Sequence, residues 1–176
     1  MNASLQEFDA TLDAQAVRYG VQLGAHERAR LGLYYEHLLK WNARLHLVAP
    51  AAPAEFATRH VLESLMAARY MAEGAKACDV GSGGGLPIIP CLILRTDISA
   101  TLVEASTKKA VFLRETLRHL ELQDRTRVLA ERFEQTPAPE ADAVTCRALE
   151  RFAEMYPKLV SWSPQGCRLL FFGGRW

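Results

Sequence analysis

Between Leu5 and about Tyr70 the apolar positions recur every three or four residues. Leu31, Tyr35, Leu38, Trp41 and Leu45 then lie on one helical face. The two prolines of "VAPAAPAEF" (residues 48–56) end that helix, and a further one is predicted over residues 56–70. After Gly74 the pattern changes to short apolar runs alternating with helical spacing. "KACDV" (76–80) reads as a strand, followed by glycines and a helix opening near Leu86-Pro87, where proline suits a first turn. "SATLVE" (99–104) reads as a second strand. Ser106 is a candidate N-cap for a helix over 107–120, with Ala110, Leu113, Leu117 and Leu120 on its apolar face. "TRVLA" (126–130), "ADAVTC" (141–146) and "CRLLFF" (167–172) read as three more strands. Strands separated by helices imply crossover connections and a parallel sheet. The chain thus divides into a helical region, 1–73, packed on an α/β core, 74–176.

Composition narrows the setting. With 49% hydrophobic and 23% charged residues, the 176-residue chain has ordinary globular content and length for one sizeable core. A net charge of +1 exerts no overall pull toward nucleic acid or membrane, so any nucleic-acid surface is a local patch. The opening residues lack a basic start followed by an apolar stretch, so no secretory signal is expected. The longest apolar run, residues 86–94, contains two prolines and falls far short of a membrane span. Cys78, Cys91, Cys146 and Cys167 are scattered without a C-x-x-C pair, which favours reduced thiols, no metal and a cytoplasmic protein.

Candidate chemistry concentrates in "DVGSGGGLPIIP". Four of the five residues 81–85 are glycine, which gives up more conformational freedom on folding than any other residue. A strand, glycines and then a helix is the nucleotide-binding arrangement of doubly wound sheets. The dinucleotide fingerprint G-x-G-x-x-G requires glycine at position 86, where Leu86 stands. Asp79-x-Gly81-x-Gly83-x-Gly85 instead matches the pattern for S-adenosyl-L-methionine, whose amino-acid end and ribose lie across the loop. Asp79 is expected to help hold the ammonium group, directly or through water. Glu104, 23 residues after Gly81, ends the second strand, where a carboxylate can take both ribose hydroxyls. Each feature alone is equally well a turn or a solvated strand end; their joint spacing favours the cofactor.

These motifs resemble those of the ribosomal RNA small subunit methyltransferase G family, also called glucose-inhibited division protein B. "DVGSGGGLPIIP" is similar to the family's first motif, "KWNARLHLV" (40–48) to its K-W-N segment, and "RHVLES" (59–64) to its R-H-x-x-[DE]-S. "LVEASTKKAVFL" (102–113) and "CRAL" (146–149) resemble two further stretches. The resemblance implies a Rossmann-like class I S-adenosylmethionine-dependent methyltransferase: a mostly parallel sheet with helices on both faces, plus an N-terminal helical region. It also implies methylation of a guanine N7 in a conserved loop of 16S rRNA, acting on the RNA or the small ribosomal subunit, with no membrane partner. A monomer is expected. Carried over by motif, Gly81 and Leu86 touch the cofactor, Phe133 and Glu134 flank its adenine, and Arg147 lies beside the active site; Gly83 and Gly85 are candidate cofactor contacts from the glycine spacing.

Three departures from the family pattern stand out. Ile88 replaces the glycine of L-P-G-I-P, a bulkier residue at a packed contact. His46-Leu47-Val48 replaces N-L-T and removes a polar contact. Family members also continue past "FFGG" with a further helix and two more strands, so the sheet is expected to lack its C-terminal strands, with an exposed edge or an incomplete substrate wall as the consequence.

Guanine N7 carries a lone pair and no proton, so its methylation needs no general base. That suits a sequence without a Ser/His/Asp or paired-carboxylate arrangement. Arg147 is the candidate catalytic residue, as a positioner of substrate or cofactor. Lys40, Arg44, Arg59, His60, Lys108 and Lys109 are the candidate RNA contacts. Trp41 reads as core rather than as a stacking platform. Two alternatives remain at this point: a non-catalytic or incomplete S-adenosylmethionine-binding module, or a methyltransferase for another substrate.

Overall fold

The computed structural model describes residues 2–147 and 151–172. Ala148 and Leu149 of the C-R-A-L stretch, and Gly173 and Gly174 after the last strand, lie outside the described residues. The helical region opens with α1 (Ala3–Gln15), capped by the Asn2 side chain accepting the Leu5 N–H. It continues with α2 (Ala25–Leu45), which ends at His46 in the left-handed conformation. The predicted face holds: Leu31, Tyr35 and Leu38 are buried, while Trp41 and Leu45 pack at its edge.

The helix expected over 56–70 begins earlier and stops sooner. Pro53 takes the first position of α3 (Pro53–Glu55), where no N–H is needed. The chain runs on through a π-helical stretch (Phe56–Leu62) into α4 (Glu63–Ala68). Tyr70 lies outside it and is half exposed.

Five strands form one parallel sheet: β1 (Lys76–Val80), β2 (Ser99–Val103), β3 (Thr126–Leu129), β4 (Ala143–Arg147) and β5 (Arg168–Phe172). Their order is β3-β2-β1-β4-β5. Each predicted strand is present, with ends shifted by at most two residues. The crossovers carry α5 (Ile88–Leu94) and α6 (Thr107–His119), with the Ser106 hydroxyl capping α6 at the Lys109 N–H. Pro87 does not enter the first turn of α5; it is the N-cap, after a cis Leu86–Pro87 bond. One helix has no counterpart in the sequence reading: α7 (Phe152–Trp162), which carries Pro157 in its middle. Interior proline removes a helical hydrogen bond and is a strong helix-breaking signal in a sequence.

Alternate strand residues enter two apolar clusters, as the period of two requires. Ala77, Ala100, Leu102 and Ala143 face the larger, built with α1, α2, α4, α5 and α6. Cys78, Val80, Val103, Val144 and Cys146 face the smaller, which includes Leu159 of α7 and Phe133. The helical region therefore shares a core with the sheet. Phe8 stacks on Tyr35 at 4.3 Å between centroids, and Tyr35 meets Phe56 at 5.0 Å. At about 1.5–3 kcal/mol for each fully buried large apolar side chain, this face supplies most of the apolar stabilisation. Ile88, expected to be bulky at its contact, is fully buried within that cluster.

Among the described residues β3 and β5 are the outer strands. No helix among them is long and apolar enough to cross a membrane. From β1 the chain moves outward through β2 to β3, then returns to the other side for β4. The crevice at that reversal, beyond the carboxyl ends of β1 and β4, is where open α/β sheets bind ligands.

Candidate functional site

The loop after β1 occupies this crevice. Gly81, Gly83 and Gly85 have φ of 70°, 49° and 87°, the left-handed region that side chains disfavour. The Gly81 and Ser82 N–H groups both donate to the Val103 carbonyl, at 2.9 and 3.3 Å. Gly85 N–H donates to the Ser82 carbonyl at 2.6 Å, closing the turn. The glycines serve different ends. A Cβ on Gly83 would have no atom nearer than the Gly81 carbonyl oxygen, 3.7 Å away, and Gly83 lines a cavity. A Cβ on Gly85 would fall 2.8 Å from Ile89 Cγ1 and nearer still to its Cδ1. Gly85 lets α5 approach the loop and is not part of the cavity wall; Gly81, Gly83, Gly84 and Leu86 are.

Glu104 follows β2 and faces the loop. Its Oε2 accepts the Gly83 N–H at 2.8 Å and its Oε1 the Ser106 N–H at 2.8 Å. One nearly buried carboxylate thereby ties the glycine loop to the start of α6 while lining the cavity.

Asp79 sits elsewhere than the cavity wall. It is fully buried behind the loop, paired in register with Thr145 of β4. The Thr145 hydroxyl donates to Asp79 Oδ1 at 2.6 Å, and Oδ2 has no hydrogen-bond partner. Burial pushes the Asp79 carboxyl up to about 7, against the opposing Thr145 hydrogen bond.

The cavity measures about 920 Å³, within the range of small-molecule sites. Phe133 and Glu134, on a 3₁₀ turn after β3, form one wall, with Trp162 set edge-on against Phe133 at 5.4 Å. Leu47 and Val48 form another. Asn42 clasps that segment, donating to the Val48 carbonyl at 3.1 Å and accepting the Val48 N–H at 3.0 Å.

His60 and Arg147 also line the cavity. His60 lies on the π-helical stretch, a helix form frequent at functional sites. Burial, helped by Arg147 and Arg59, holds its imidazole below the ordinary histidine range, so it is neutral at pH 7. Arg147 Nη2 donates to the Arg59 carbonyl at 2.7 Å and pairs with Glu63 at 3.4 Å, while its guanidinium covers the Phe172 ring at 5.6 Å. The R-H-x-x-E motif is thus the seat of Arg147.

Of the candidate RNA contacts, His60 and Lys109 line the cavity with Arg147. Lys40, Arg44 and Lys108 are exposed on α2 and α6 and take no part in its wall. Arg59 is exposed and pairs with Glu55 at 2.8 Å. The lining instead recruits Arg132, Arg151 and Lys158, accompanied by Glu131. Sequence reasoning did not select these three, because α7 and the turn after β3 are brought to the mouth only by the crossover. It also missed Tyr34, Ser82 and Thr145. Tyr34 could have been found, since it falls three residues after Leu31 and four before Leu38 on the same stripe.

The family model for GidB, rRNA small subunit methyltransferase G, matches residues 27–175. The chain is 45% identical over 142 residues to a ribosomal RNA small subunit methyltransferase G of Xanthomonas axonopodis pv. citri, covering 78% of the chain and 66% of that relative. It is 36% identical over 165 residues to the protein of that name from Neisseria gonorrhoeae, covering 94% and 76%. The chain thus spans just under two thirds of the Xanthomonas relative it matches. Among solved structures, ribosomal protein L11 methylase from Lactobacillus delbrueckii superposes with a TM-score of 0.55 at 16% identity, covering 65% of this chain and 60% of that one. Pyrococcus horikoshii TYW2 in complex with MeSAdo gives 0.53 at 19%, covering 62% and 42%. The solved structures show the shared Rossmann-like fold, and the family match together with these relatives makes this chain a member of the rRNA small subunit methyltransferase G family.

Proposed function

We propose that the chain binds S-adenosyl-L-methionine in this cavity and methylates N7 of a guanine in 16S rRNA, acting as a cytoplasmic monomer on the RNA or the small subunit. The observation that carries the reading is the Glu104 carboxylate facing a loop whose Gly83 presents open space rather than a side chain. The residues suit the cofactor. The glycine backbone and Leu86 take its amino-acid end, Glu104 its ribose, and Phe133 with Glu134 its adenine. Asp79 acts from behind the loop through its unpartnered oxygen.

When bound, the cofactor supplies an electrophilic methyl group. Guanine N7 needs no proton removed, so the protein's work is alignment, worth about 7–11 kcal/mol at best. Leu47, Val48, Phe133 and Met155 supply apolar walls. Arg147, held by Glu63 and the Arg59 carbonyl, offers donors to the base or its phosphate. Neutral His60 adds a polar group without a second charge beside it.

Labelled methyl transfer to small subunits from cells lacking the modification tests the reading. Transfer to a protein or small metabolite, with none to RNA, would overturn it. Glu104→Ala should lower cofactor affinity at least tenfold, since hydrogen bonds to a charged group contribute about 1.5–3 kcal/mol each. A change below twofold in a calorimetric titration would exclude that role. RNA affinity should fall with salt as neutralised phosphates release counterions. Lys109→Ala and Lys158→Ala should each flatten the salt slope by about one unit, and Lys40→Ala and Arg44→Ala should leave it unchanged. The reverse pattern would place the RNA on α2.

A further inference from the structure

The helical region reaches the candidate site through two buried or half-buried polar anchors on a single helix. Tyr34 of α2 is fully buried, and its hydroxyl donates to the Gly84 carbonyl at 2.6 Å. Burial raises its phenol far above the ordinary tyrosine range, so it remains a donor at any working pH. Eight residues later on α2, Asn42 makes its two-way clasp on Val48. Gly84 and Val48 are both cavity residues, and they also touch each other's surroundings. A Cβ on Gly84 would lie 3.4 Å from Leu38 of α2, 3.5 Å from Val48 and 3.6 Å from Leu47. The loop of the sheet, the 47–49 segment and α2 therefore meet at one packed point. The peptide joining Gly84 to Gly85 is held on both sides, its carbonyl by the Tyr34 hydroxyl and its N–H by the Ser82 carbonyl at 2.6 Å, so Tyr34 pins the turn from the helical region.

We propose that Tyr34 is a positioning residue for the cofactor site, with Asn42 holding the adjoining wall. Through Tyr34 the helical region sets the conformation of the glycine loop it packs against. The proposal rests on the cofactor reading above, but it acts through the Gly84 carbonyl and touches no reacting atom. In Tyr34→Phe the ring keeps its place in the core and only the donor is lost, leaving a buried carbonyl without its partner.

The test combines two measurements at a temperature where every variant is fully folded. Calorimetric titration with S-adenosylhomocysteine should show affinity reduced about tenfold in Tyr34→Phe, with Leu33→Ala, on the exposed side of the same helix, unchanged. Hydrogen exchange should show the Gly81–Gly85 amides exchanging faster in Tyr34→Phe, with those of β2 and β3 unaffected. Uniformly faster exchange, or loop exchange and affinity both within twofold of the original, would reduce Tyr34 to an ordinary core residue and overturn the proposal. The exchange measurement needs no ligand. Where the unaltered protein binds no S-adenosylhomocysteine, the functional reading falls while loop exchange still decides the role of Tyr34. Should Tyr34→Phe fail to fold, Asn42→Ala puts the same question to residues 47–49, where faster local exchange is expected and unchanged exchange would overturn it.

Discussion

Gly85→Ala should destabilise the protein by at least about 2 kcal/mol, whereas Gly83→Ala should cost the fold about half as much and the cofactor affinity far more. Both positions have positive φ, where a side chain adds about 1–2 kcal/mol of strain. Of the two, only at Gly85 does the new Cβ crowd a fully buried side chain, lying 2.8 Å from Ile89 Cγ1. Overpacking of that kind adds about 1–3 kcal/mol. At Gly83 the Cβ enters the cavity, where the fold tolerates it and a ligand does not. Urea unfolding together with a titration on each variant separates the two effects. Equal stability losses, or a Gly83→Ala protein that binds S-adenosylhomocysteine as tightly as the original, would refute the division of labour between these glycines.

Asp79→Asn should change how stability depends on pH, and the direction follows from the raised carboxyl. Its folded value is about 7 against 3.8 unfolded, so between these the folded state holds a proton that the unfolded state has released. The ligand-free protein therefore loses stability from this group as pH rises from about 4 to 7, by on the order of 4 kcal/mol, and loses no more above that. Asparagine keeps an acceptor for the Thr145 hydroxyl and cannot ionise. Near pH 4 the variant should be no more stable than the original, because a buried amide replaces the unpartnered oxygen. By pH 8 it should be the more stable of the two. The measurement is the difference in denaturant midpoints across that range, which cancels the titration of distant groups. A difference that stays flat with pH would show that Asp79 is not a buried, proton-holding carboxyl.

The five strands, α6 with its Ser106 cap and the apolar stripe of α2 were legible because each depends on a local period or a local cap. The glycine spacing and the position of Glu104 were legible for the same reason: a loop between a strand and a helix has a short reach. Pro157 concealed α7, since a proline signal outweighs an apolar stripe in any reading confined to nearby residues. Lys40 and Arg44, basic residues within the K-W-N stretch, are exposed and take no part in the cavity wall. That stretch does serve the cavity, but through Asn42 and its backbone clasp, with the cations pointing away.

Sequence alone determined the alternating α/β plan, a glycine loop at the first strand and an acidic residue at the second, all written within short spans of chain. The tertiary structure decided which glycine faces the cavity and which faces Ile89. It placed Thr145 against Asp79, gave the Gly84 carbonyl to Tyr34, and brought Arg132, Arg151 and Lys158 to the same opening. Each of those outcomes depends on strand register, helix packing and crossover, which juxtapose residues tens of positions apart and leave no trace in local spacing.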